Sequence, residues 1–307
     1  MESLKEAIQC TPIIDHHAHN LLISSKFGTY DLLSIFTEAN GPAMQDSTST
    51  LAHKRAVKQL SGILHCKPEW EIVRQELQKR HNDPDNAWTK TCFTGIETVL
   101  IDDGLNQDDV EPYEWHNNLT RSKCKRILRI EKLLEQLMEL DLEEMGRDAD
   151  SEIKTIKRFK ANIEKAIADP EVAGFKSVIC YRTGLAIPSY DASHGHLLRP
   201  FLKSIGPGWP VRLQHDLLNP FFVHLTTHLL QRRKSKKPFQ FHTGLGDNDI
   251  NLHLSNPAHM QQFIATYPDV NIVLLHGSYP FTAEAGYLAS VYNNVFLDIG
   301  EVFPFVR

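Results

Sequence analysis

PIIDHHAHN, running from Pro12 to Asn20, is the stretch from which the rest of this chain can be read. Pro12, Ile13 and Ile14 read as a short buried strand that opens after a proline, and three histidines follow within four residues. On an extended backbone, side chains two apart point the same way. His17 and His19 therefore face one direction and can reach a single metal ion. Neutral imidazole is a common ligand for zinc and its neighbours. Taken alone, the motif is also compatible with a surface histidine run that binds nothing.

Six more apolar, β-branched runs end in polar or glycine residues. They span Ile96–Gly104, Arg126–Glu131, Val172–Arg182, Pro238–Gly244, Val270–Gly277 and Asn294–Glu301. Segments with helical spacing separate them: residues 133–145 and 156–170, then 215–233, then 257–268. In the last of these Met260, Phe263, Ile264 and Tyr267 fall at helical intervals behind Pro257. Strand and helix alternating, with near-continuous apolar strands, predict a parallel sheet covered on its outer face. Six such crossovers suit an α/β fold of the (β/α)8 TIM-barrel kind, whose polar strand tips form the mouth. A doubly wound open sheet is the competing fold. Its first turn is usually glycine-rich, and HHAHN is not.

The first crossover is too long for one helix. Residues Phe27 to Trp88 are read as a helical insertion over the mouth, with WEIVRQELQKRH as one of its helices and HNDPDN as a closing loop. Arg307 follows shortly after the seventh strand, so the reading is one barrel domain over residues 1–307, truncated before an eighth strand.

Composition narrows the function classes. Hydrophobic residues make up 41% and charged residues 23% of the 307, as in an ordinary globular protein. A net charge of −5 gives no support to nucleic-acid binding. The one basic run, Arg232 to Lys237, reads as the cationic end of a helix. Cys10, Cys66, Cys92, Cys124 and Cys180 are odd in number and contain no CxxC pair. That argues against a disulfide framework and for a reducing compartment. The charged N-terminus is no signal peptide, and no apolar run approaches the ~20 residues of a membrane span. A cytoplasmic protein acting on a small molecule, without nucleic acid or membrane and with room for a homo-oligomer, is the expectation.

His242 ends the fifth strand in QFHTG and His276 ends the sixth in VLLHG, each with a glycine close behind. With His17 and His19, four imidazoles then sit at equivalent strand tips, an arrangement hard to reconcile with chance. The ordered set resembles the amidohydrolase superfamily. GFKSVICYRTGL, FHTGLGDND and LLHGSYPFTAEAGYLA are similar to the amidohydrolase-like region of fungal FluG-type and plant nodulin-like proteins, where that region is fused to a glutamine-synthetase-like domain.

The resemblance implies a divalent ion, zinc foremost, held by His17, His19 and His242, with Lys176 as a fourth-strand ligand and a second ion conceivable. It implies a metal-activated water attacking a C–N bond, with His276 stabilising the charge that develops on the carbonyl oxygen. An inward lysine paired with a carboxylate is the other reading of Lys176, which lies several residues before the end of its expected strand. Arg182, nearer that end, suits an anionic substrate. Asp247, Tyr279 and Glu284 would line the same pocket, although each is also an ordinary loop or cap residue. Two departures from the resemblance stand out: the eighth-strand aspartate has no counterpart, since Asp298 belongs to the seventh strand, and the glutamine-synthetase-like region is absent. A decarboxylase of the same superfamily and a catalytically impaired signalling or scaffold protein therefore remain as alternatives.

Overall fold

The computed structural model describes residues 2–83, 85–105, 108–145, 151–206 and 210–302. They divide into two compact units, one up to Arg126 and one from Ile127 onward. Seven strands follow one another in chain order: β1 (Ile13–His19), β2 (Ile96–Asp102), β3 (Lys125–Arg129), β4 (Val172–Ser177), β5 (Phe239–Phe241), β6 (Ile272–Leu274) and β7 (Val295–Leu297). Each is laid beside the next, and the pairings β1–β2, β4–β5, β5–β6 and β6–β7 are parallel. A doubly wound sheet reverses its strand order at a switch point. Here no reversal occurs among the described residues, so the architecture is of the α/β barrel kind, with seven strands described.

In the first unit, α1 (Glu2–Cys10) precedes β1, and the predicted insertion is helical. It contains α2 (Pro42–Asp46), α3 (Leu51–Leu64), α4 (Trp70–His81) and the start of α5 (Ala87–Cys92). The Thr50 side chain caps α3 by accepting from His53 N, and His53, Val57, Ser61 and Leu64 form its buried stripe. The helix stops at His65, which turns left-handed. Val57, Leu64, Val73 and Leu77 make one small core, and Val99, Ile101 and Cys124 another.

The second unit carries α6 (Ile130–Met145), α7 (Ser151–Ala168), α8 (Leu198–Ser204), α9 (Leu218–Arg232), α10 (Gln261–Thr266) and α11 (Thr282–Val291) around one large core that includes Phe175, Phe239, Phe241, Phe263 and Ile272. Asn256 caps the short turn holding Pro257, and Met260, Phe263, Ile264 and Tyr267 are buried, as their spacing predicts. The basic run does end a helix: Arg232 and Arg233 both reach Glu164 at 2.8 Å. Among the described residues no helix is long and apolar enough to cross a membrane.

Two expectations are corrected. Ile13 and Ile14 are 56% and 58% exposed instead of buried. β1 opens the strand order and pairs with β2, with no strand on its other side among the described residues, so its apolar start lies at the edge of the sheet. The later strands are also shorter than their apolar runs. β4 stops at Ser177, where the chain enters a tight turn over Ile179–Tyr181, so Lys176 is the next-to-last residue of the strand and not deep within it.

Candidate metal centre

Within the first unit, β1 delivers His17 and His19 side by side. Their rings lie 6.1 Å apart in an edge-on arrangement, despite a register shift between Asp15 and Ala18. His19 Nδ1 sits 3.0 Å from the Asp102 carbonyl at the end of β2. A carbonyl only accepts, so Nδ1 carries the hydrogen and Nε2 carries the lone pair. The nearly buried Asp102 carboxylate stands 3.8 Å from the same nitrogen and accepts from Gly104 N at 3.2 Å. A cavity of about 150 Å³ separates the insertion from the chain leaving β1, between Leu21, Phe27, Trp88 and Trp115. A larger one, about 510 Å³, opens inside the insertion among Tyr30, Trp70, Arg74 and Gln78 and is lined by none of the strand-tip histidines.

In the second unit, His242 and His276 leave β5 and β6 and meet. His276 Nε2 lies 3.0 Å from His242 Nδ1, and His242 Nε2 bonds the Leu245 carbonyl. The carbonyl again fixes the pattern: hydrogen on His242 Nε2, lone pair on Nδ1, and the His276 N–H donating to it. Both side chains are buried. Gly244 makes the meeting feasible. Its φ is +66°, and a Cβ there would fall 2.3 Å from the carbonyl oxygens of Ser278 and Tyr279. His276, Gly277 and Ser278 are all left-handed, a strained run of the kind found at functional sites. Asp298 holds it, accepting from His276 N and Gly300 N at 3.0 Å each. Glu301 brings a carboxylate oxygen to 3.1 Å from His276 Nδ1. No motif around His276 points to this partner.

The other expected residues have varied placements. Lys176 is buried opposite Gln240, and its neighbour Ser177 accepts the His242 N–H through its carbonyl at 3.1 Å. Arg182 is drawn to Glu135 at 3.1 Å, an oxygen that also takes Leu213 N; burial holds the Arg182 pKa below its ordinary value and the Glu135 pKa above its own. Asp247 closes a turn by accepting from Asp249 N, Tyr279 precedes a cis proline, and Glu284 occupies the first turn of α11. Glu131 follows β3, is buried and protonates more readily than a free carboxylate because of that burial; Ser177 Oγ bonds it at 2.5 Å.

These residues fit a divalent ion. His19 and His242 each have one ring nitrogen held by a backbone carbonyl and the other bearing a lone pair, the outer support that metal-binding histidines usually have.

The amidohydrolase family model matches residues 156–306. Protein fluG of Emericella nidulans is 43% identical over the whole chain, which spans 38% of that relative's length. The chain belongs to the amidohydrolase superfamily. A solved structure described as a metal-dependent hydrolase of Lactobacillus casei matches 97% of this amidohydrolase chain and 76% of its own, at 26% identity and a TM-score of 0.78. A uronate isomerase of Bacillus halodurans shares the fold, with a TM-score of 0.52 at 15% identity, over 96% of this chain and 74% of its own.

Proposed function

We propose that this amidohydrolase-superfamily chain is a metal-dependent hydrolase acting on the C–N bond of a small polar substrate, with zinc held by His17, His19 and His242 and with Lys176 as a further ligand. The observation that carries the reading is the carbonyl-fixed state of His19 and His242, which leaves a lone pair on each ring. A bound ion of this kind supplies a water acidic enough to yield hydroxide near neutral pH. With the His242 lone pair so engaged, the His276 N–H is left to donate to the substrate carbonyl oxygen, where negative charge develops. Asp298 fixes the His276 backbone by accepting its N–H, and Glu301 brings a carboxylate oxygen near the other ring nitrogen. Asp247, Tyr279 and Glu284 remain the proposed polar contacts for substrate. Arg182 is already committed to Glu135, which weakens the case for a carboxylate grip and, with it, for decarboxylation.

Elemental analysis of the purified protein tests the metal. About one equivalent of zinc is expected, lost on His19→Ala or His242→Ala; a protein that takes up no divalent ion on titration removes the reading. Ammonia release across a panel of small amides tests the chemistry, and carbon dioxide release from carboxylated substrates without ammonia would transfer the assignment to a decarboxylase. A metal-loaded protein that turns over neither class would leave a binding role.

A further inference from the structure

The chain leaving His19 is held by a histidine that no sequence motif marks. Beyond β1 it runs antiparallel to residues 109–111. Asn20 Nδ2 donates to Glu111 O and Glu111 N to Leu21 O, both at 2.8 Å, Ile23 N donates to Asp109 O at 3.0 Å, and Leu22 bridges Val110. The Leu21 N–H goes to a side chain instead, 3.0 Å from His116 Nε2. His116 is 1% exposed and lies in the turn Tyr113–Asn118. Its Nδ1 faces two carbonyls, Pro112 O at 3.1 Å and Tyr113 O at 3.2 Å. Carbonyls accept only, so the hydrogen is on Nδ1, and Nε2 offers its lone pair to the Leu21 N–H.

We propose that His116 is a positioning residue for the metal-binding histidines of β1: its Nε2 anchors the backbone two residues past His19 and so fixes how that ring is presented. The proposal rests on the metal reading above. Two tethers act on His19 in concert, Asp102 O on its ring and His116 on the chain that follows, the first from the end of β2 and the second from the stretch between β2 and β3. The competing role is plain packing, since the Trp115 ring stands edge-on to His116 at 5.4 Å. A residue that only packs would be replaceable by a ring of similar size.

Zinc affinity, read by competition with a chromophoric chelator on the full chain, separates the two. His116→Phe keeps a ring and removes the acceptor; His116→Gln places a carboxamide oxygen where Nε2 was. The phenylalanine variant is expected to bind zinc about 10–100-fold more weakly, the usual effect of losing an outer hydrogen-bond partner, with the glutamine variant near wild type. Amide exchange at Leu21 should accelerate in the first and stay slow in the second. Unchanged affinity in the phenylalanine variant overturns the proposal, and so does an equal loss in both variants. Should the phenylalanine variant not fold, the ¹⁵N shifts of the wild-type ring decide: hydrogen on Nε2 instead of Nδ1 overturns it. A wild type that binds no zinc sinks the metal reading and this proposal together, whereas a zinc-binding wild type with unresponsive variants sinks this proposal alone.

Discussion

His242 and His276 are brought together by a single residue with no side chain. Gly244 lets the turn after β5 lie against the carbonyls of Ser278 and Tyr279 in the turn after β6, a distance no Cβ can share. Gly244→Ala should therefore destabilise the protein by more than the roughly 1–3 kcal/mol of left-handed strain alone, because the clash adds to it. Chemical denaturation measures this, and an unchanged midpoint would mean the two turns are not in contact. The short His-to-Gly spacing was legible in the sequence as a sign of close approach. Which nitrogen of each ring bears a hydrogen was not, because the deciding groups are backbone carbonyls at Asp102, Leu245 and Pro112, and every residue has a carbonyl.

α9 shows an element doing more than its amphipathic pattern requires. Its His224 donates from Nε2 to Pro188 O at 2.7 Å, so Nδ1 accepts the Tyr267 hydroxyl at 2.6 Å, and that oxygen accepts in turn from His228 Nε2 at 3.1 Å. Tyr190 stands edge-on to both imidazoles. Burial lowers the pKa of both histidines and raises that of the Tyr267 phenol. Below the ordinary histidine value of about 6.5, the unfolded chain takes up protons that the native relay refuses. Stability from this relay is thus complete above that pH and declines as pH falls toward the lowered native values. Tyr267→Phe removes the central hydroxyl and leaves His224 Nδ1 buried without its donor, a loss of roughly 1–3 kcal/mol. Urea midpoints of the wild type that stay level between about pH 7.5 and pH 5.5 would contradict the relay. So would a phenylalanine variant as stable as its parent.

At the scale of the molecule, hydrophobic burial is uneven between the two units. The unit from Ile127 onward is organised around one continuous core, while the unit up to Arg126 relies on two clusters of four and three buried residues. Opening free energy follows buried contact. Amides of α3 and α4 should exchange with solvent well before those of α9 and β5 in a native-state exchange series, and uniform protection across both units would refute this. Phe175→Ala or Phe239→Ala, each fully buried in the large core, should cost about 3–5 kcal/mol in denaturant melts.

The alternation of strand and helix, the histidines at the strand tips and the helical insertion were legible in the amino-acid order, because these depend on local spacing and on which side of a backbone a residue falls. Folding alone reveals where the strands stop, that Lys176 lies near a strand end, that Arg182 is taken by Glu135, and that His116 and Glu301 stand near the histidines. Glu301 lies 25 residues after His276 and His116 lies 97 residues after His19. No local pattern encodes a contact at that separation; each exists once its own unit has folded.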